Sequence, residues 1–84
     1  MIIVFTKHAQ RKQEILRELG WDIDLTLVET AIRNPDRLGQ TKQKQATAIK
    51  YLDQTHFLRV IYKTDGAIIR VITFHVAKKG RYAT

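Results

Sequence analysis

The chain has 84 residues, 44 % of them hydrophobic, with fifteen Lys and Arg against eight Asp and Glu for a formal net charge of +7. That length holds one domain, residues 1–84, burying roughly 60 to 65 % of its unfolded surface, and no apolar run approaches the ~18 residues of a membrane helix. The absence of cysteine excludes disulfides and thiolate metal sites and makes a reducing cytoplasm the expected setting, while the charge surplus favours a polyanionic partner, either nucleic acid or an acidic protein.

Residues 2 to 5, IIVF, read as a short strand, since MIIVF has neither the length nor the basic leader of a signal peptide. Thr6 suits the N-cap of a helix running to about Leu19, with Gly20 placed to end it. On a helical wheel His8, Lys12, Ile15, Leu16 and Leu19 share one face, which points His8 toward the body of the protein. A second helix fits from about Ile23 to Arg33, capped by Asp22 or Asp24. It stops at Asn34-Pro35 because the residue before proline disfavours the α region. Leu25, Leu27, Val28, Ala31 and Ile32 form its apolar arc.

Residues 36 to 44, DRLGQTKQK, carry no strong period and read as a loop or a weak strand. From Gln45 the pattern alternates, with Thr47, Ile49 and Tyr51 on one side and Ala46, Ala48, Lys50 and Leu52 on the other. A strand is expected there, turned back by Asp53-Gln54-Thr55.

The segment HFLRVIYKTDGAIIRVITFH, residues 56 to 75, predicts a β-hairpin about an Asp65-Gly66 type I′ loop. This register opposes Tyr62 to Ile69, Val60 to Val71 and Leu58 to Thr73 on an apolar face. The other face then carries Phe57, Arg59, Ile61 and Lys63 opposite Phe74, Ile72, Arg70 and Ile68. A register with Gly66 in a bulge would set Arg70 among Leu58, Val60 and Tyr62, where an unpaired charge is costly. The second face is too apolar for ordinary solvation and too charged for a core, which predicts a surface covered by a partner part of the time, a second copy of the chain among the options.

In this register His56 and His75 form a cross-strand pair at the open end of the hairpin. Two histidines without a third ligand make a poor metal site, so no cofactor is expected. Proton transfer by His75 suits an imidazole that titrates near neutrality. His8, in the first turn of its helix, is the other acid-base candidate, because a helix N-terminus disfavours the imidazolium. Its plainer reading is a half-buried histidine bonded to a neighbour. Arg59, Arg70, Lys78, Lys79 and Arg81 form a cationic set that Tyr82 closes, and Phe57 and Phe74 lie beside it. The plainer reading is a solvated basic face with a frayed terminus. Guanidinium forks beside aromatic rings suit RNA, which offers phosphates and stackable bases.

The Thr-Lys-His-Ala opening of the first helix, the Asn34-Pro35-Asp36 stop, and the strands LRVIY and IIRVITFH resemble a small bacterial and phage family of unknown function, related to BrnT and RelE-type toxins. The resemblance covers nearly the whole chain. It implies an α+β, RelE/ParE-like fold, with two N-terminal helices packed on one face of an antiparallel sheet of about four strands. It also implies a toxin of a toxin-antitoxin module that cuts RNA without a metal, on or off the ribosome, and is neutralised by an acidic or DNA-binding antitoxin encoded nearby. The family's recurrent histidine falls on His8. A position that is often arginine is Lys12 here, keeping charge but losing bidentate phosphate binding. The basic strand positions fall on Arg59 and Arg70, and the C-terminal basic and aromatic positions on Arg81 and Tyr82.

Metal-free cleavage by 2′-hydroxyl attack needs a base, cations around the phosphorane-like transition state, and an acid for the leaving oxygen. His75 or His8 is expected as base or acid. Arg59 and Arg81 would stabilise charge, and Tyr82 would position a base or donate a proton. Lys12, Phe57, Lys63, Arg70, Phe74, Lys78 and Lys79 would hold RNA or a partner. The alternatives are a non-catalytic toxin-like binder of an acidic protein and a nucleic-acid-binding accessory domain that has lost activity.

Overall fold

The computed structural model describes residues 1–80. In chain order the elements are β1 (Ile2–Phe5), α1 (Lys7–Glu18), α2 (Leu25–Arg33), β2 (Arg37–Gln40), β3 (Ala46–Tyr51), β4 (His56–Asp65) and β5 (Ile68–Lys78). They build one five-stranded sheet in the order β1-β5-β4-β3-β2. Three strand pairs are antiparallel, and β1 runs parallel to the start of β5, with Ile2 opposite Ile68 and Phe5 opposite Val71. The expected RelE/ParE-like antiparallel sheet of about four strands beneath two N-terminal helices is therefore replaced by a mixed α+β sheet of five. Two features cause the difference. A strand precedes the helices and returns as an edge parallel to the last strand, and the weakly patterned Arg37–Gln40 pairs with β3 at the far edge.

Both helices start where side-chain oxygens satisfy first-turn N–H groups. Thr6 accepts from the Ala9 N–H at 3.1 Å, and Asp24 accepts from the Leu27 N–H at 2.7 Å. Helix α2 buries Val28, Ala31 and Ile32, as its apolar arc predicts. Helix α1 is turned by about one residue from the expected face. It buries Ala9 and Leu16, leaves Ile15 and Leu19 42 % and 71 % exposed, and carries His8 on the solvent side. The small Ala9 lets the helix approach the sheet closely, which a lone histidine in the first turn cannot do without burying a polar ring. These helical residues share one core with Leu58, Val60, Ile69, Val71 and Phe74, and Trp21 and Tyr62 pack at its margin. No helix among the described residues is long and apolar enough to cross a membrane.

The β4-β5 hairpin departs from the expected register twice. Its loop is Gly66-Ala67, with Asp65 opposite Ile68 and Gly66 at φ 62°, so the glycine takes the first loop position, as a II′ turn requires. Tyr62 consequently faces Val71, and Lys63 faces Arg70. Between Ile61 and Tyr62 the register shifts, because Ile72 is the extra residue of a β-bulge, and beyond it Thr73 opposes Ile61 and Phe74 opposes Val60. The bulge reverses the alternation of β5. Val71 and Phe74 both enter the helix-side core, each fully buried, while Thr73 and His75 pass to the other face. Burying a phenylalanine rather than a threonine and a histidine is worth several kcal/mol of roughly additive transfer and desolvation terms. Phe74 is thus a core residue and not the RNA- or partner-facing ring expected of it.

Candidate functional site

The sheet face away from the helix-side core is built by the outward rows of three strands. Strand β4 presents Phe57, Arg59, Ile61 and Lys63, opposed across β5 by Ala77, His75, Thr73 and Arg70. Strand β3 adds Thr47, Ile49 and Tyr51, with Ile49 beside Arg59. Half of this face has a small core of its own, in which Phe57, Ile49 and Ala77 are buried together. The expected partner-facing role of Phe57 therefore yields to packing, since only 1 % of it reaches solvent.

Arg59 and His75 are direct cross-strand neighbours, both half-buried. Directly opposed side chains in an antiparallel pair leave their Cβ atoms about 4.5 to 5.5 Å apart, within reach of a shared ligand. The His75 imidazole is pulled below its ordinary value of 6.5, first by burial and then by the positive charges of Arg59 and Lys12. Lys12 comes from α1, which lies against β5, and is itself half-buried. A neutral imidazole beside two fixed cations is the arrangement of a proton acceptor at an anion site.

The expected His56–His75 pair does not form, because the bulge and the shifted loop set His56 opposite Lys78. His56 serves the β3-β4 turn instead. Asp53 accepts from the backbone N–H groups of Thr55 and His56, each at 2.7 Å, and lies 3.2 Å from His56 Nδ1. The Thr55 amide is the largest cause of an Asp53 carboxyl lowered from 3.8 to about 2. The His56 ring also meets Trp21, with centroids 4.9 Å apart.

His8 is exposed in the first turn of α1, one helical turn before Lys12 and on the same side of the helix. Lys63 and Arg70 are exposed and directly opposed. Lys78 is exposed at the end of β5. Lys79 holds its ammonium 4.1 Å from the centre of the Tyr51 ring, a cation-π contact that no local sequence pattern announces, because the two residues meet only through the sheet. Arg81 and Tyr82 lie outside the described residues. The structure thus sets Arg59 directly opposite His75, brings Lys12 near enough to act on His75 through its charge, strings Lys63 and Arg70 along the same face as the pair, and removes Phe74 and His56 from it.

The chain matches no family model, no curated protein and no solved structure.

Proposed function

We propose that this chain is a metal-independent endoribonuclease of the toxin-antitoxin kind that its motifs resemble, acting in the cytoplasm, with the Arg59–His75 pair at its centre. One observation carries the reading: a half-buried histidine held neutral, directly opposite an arginine and within the field of Lys12. In the reaction the His75 imidazole takes the proton of a ribose 2′-hydroxyl, and the O2′ attacks the adjacent phosphorus. The P–O5′ bond then breaks to give a 2′,3′-cyclic phosphate and a 5′-hydroxyl. Arg59 and Lys12 offset the charge that builds on the non-bridging oxygens. The leaving oxygen takes its proton from solvent or from His8, whose exposed ring lies a turn from Lys12 on α1. Each proton-transfer group of this kind contributes about 10² to 10⁴ in rate.

Lys63 and Arg70 support a polyanionic substrate in a second way. Like charges directly opposed across a strand pair destabilise a sheet, and a phosphate lying over both removes that cost. An acidic antitoxin would cover the same cations in the inactive complex.

The test is incubation of the purified chain with RNA, free and ribosome-bound, in EDTA. Cleavage is expected, with His75→Ala and Arg59→Ala each at least about tenfold slower while the circular dichroism spectrum is kept. Intact RNA in every condition would sink the enzyme reading. Tight capture of an acidic protein under those conditions would put the non-catalytic binder in its place.

A further inference from the structure

A second feature lies along the same strand. Beyond the Ile61–Lys63 end of β4, the loop between β2 and β3 leaves a cleft of about 490 Å³, with Gln43, Lys44 and Gln45 on one wall and Tyr62, Lys63 and Thr64 on the other. Its volume is within the range of small-ligand sites, roughly 300 to 1,000 Å³. The loop wall is held in shape by its own hydrogen bonds. The Thr41 N–H donates to the Gln45 carbonyl and the Lys44 N–H to the Thr41 carbonyl, both at 2.9 Å, and the Thr41 hydroxyl accepts from the Gln45 N–H at 3.1 Å.

Lys44 closes this loop at φ 65°, the single non-glycine residue with positive φ among the described residues. Asparagine and glycine occupy that region with less strain than a lysine does. A strained lysine at the rim of a preformed cleft is the kind of backbone cost that structures keep where the side chain is needed. The cleft offers two ammonium groups and two side-chain amides, and it ends against Tyr62, which packs at the margin of the helix-side core. The ammonium and amide groups are complementary to one phosphate and the edge of a base.

We propose that this cleft is an RNA subsite remote from the cleaved bond. It takes one nucleotide of a single strand, the phosphate on Lys44 and Lys63 and the edge of the base on the Gln43 and Gln45 amides. The inference rests on the reading of the open face as an RNA surface and adds to it a direction along β4. Arg59 and Lys63 share that face four residues apart, about 13 Å of strand. That separation is roughly four nucleotides at stacked spacing and fewer when the strand is extended. A dinucleotide seated at His75 therefore cannot reach the cleft, whereas a longer strand can.

The test uses the full chain and fluorescein-labelled 2′-O-methyl oligonucleotides of two and eight residues, which bind as RNA but have no 2′-hydroxyl to react. Fluorescence anisotropy is expected to show Lys44→Asn and Lys63→Gln each weakening the eight-mer at least about threefold, and roughly tenfold or more together. Losing the one phosphate that both lysines hold should reduce the salt slope by about 0.7. For Lys44→Asn the affinity for the dinucleotide stays within about twofold, and this variant melts no lower than the parent because asparagine relaxes the positive φ. An unchanged eight-mer affinity would overturn the subsite, as would an equal loss for the dinucleotide, which would mark diffuse charge attraction. Should Lys44→Asn melt lower, Lys44→Gly, which suits the positive φ, decides the matter on the same two probes. Length-dependent binding through the cleft in a chain that cuts no RNA would support the subsite and overturn the cleavage reading alone.

Discussion

Deletion of Ile72 separates the bulged strand from a regular one more sharply than any point substitution. In the structure Ile72 is the extra residue between Val71, opposite Tyr62, and Thr73, opposite Ile61. Removing it leaves Val71 and Phe74 facing the helices and Thr73 and His75 facing away, because the remaining residues then alternate without interruption. The loss is confined to a half-buried isoleucine, about 1 kcal/mol, and to the hydrogen bond from the Thr6 hydroxyl to the Ile72 carbonyl at 3.1 Å, about another 1 kcal/mol. The sum of about 2 kcal/mol is well within the roughly 4 to 13 kcal/mol expected of an 84-residue domain. In a regular strand, which would set Val71, Thr73 and His75 toward the helices, the same deletion would swing Phe74 and Val76 into a core filled without them, an overpacking cost of about 1 to 3 kcal/mol each. It would also pull Thr73 and His75 away from the partners that satisfied them inside, about 1 to 3 kcal/mol each, and little or no stability would remain. Urea unfolding read by Trp21, the single tryptophan and packed at the margin of the helix-side core, measures the difference. A cooperative transition with an unchanged denaturant slope and a loss near 2 kcal/mol is expected. A deletion variant that is unfolded in buffer, or that loses more than about 4 kcal/mol, would refute the bulge and with it the placement of His75 beside Arg59.

Thr6→Ala removes both the N-cap of α1 and the anchor to Ile72, so it should cost about 2 kcal/mol in the same assay, with Thr6→Ser recovering most of it. In the Ile72 deletion the Thr6→Ala cost should shrink by the anchor's share, a coupling that a double-mutant cycle reads directly. His75 makes the fold sensitive to acid. Its native value is lowered from 6.5, so between that lowered value and 6.5 the unfolded chain binds a proton that the native chain resists, and stability rises with pH through this window and is fully present above it. The melting temperature of the parent should fall relative to that of His75→Gln as the pH drops from 8 to 5, and parallel curves would mean that His75 is not the titrating group.

What the sequence discloses here follows from how local each determinant is. The start of α1, the apolar arc and end of α2 and the extents of β1, β3 and β4 depend on caps, breakers and short-range periodicity, all of which are written in consecutive residues, whereas β5 runs three residues past His75 into the basic tail because β4 is there to pair with it. The parallel edge is not local either. Nothing in the four residues Ile2–Phe5 states which strand they will join or in which direction, and their partner begins at Ile68. The bulge is hidden for a related reason. Strict alternation along IIRVITFH places Val71, Thr73 and His75 together, and only the competition between Phe74 and Thr73 for the same core position, settled by tertiary packing, shifts the register at Ile72. The face of α1 was misplaced by one residue because Ile15 and Leu19 look like core anchors on a wheel, whereas the sheet selects the small Ala9 for close approach.

The same bulge that sets the fold also sets the chemistry, and the two cannot be tuned apart. His75 owes its lowered basicity to burial before charge, and that burial arises on a sheet face where Phe57, Ile49 and Ala77 form a small core beside it. Were β5 regular, with Ile72 paired in the ladder and not bulged, the same sequence would direct His75 toward the helices and away from Arg59. Both the neutral imidazole and its opposing guanidinium would then be lost in one step. Residues that enlarge or empty the small core should therefore move the basicity of His75 beside Arg59 without touching either side chain. Phe57→Leu, a modest change in a side chain 1 % exposed, admits water next to His75 and should raise the pH at which it takes a proton toward the ordinary 6.5. The C2 proton of the imidazole, followed by nuclear magnetic resonance through a pH titration, reads that displacement in the folded chain. A titration curve identical to the parent's would show that the small core contributes nothing to the dehydration of His75.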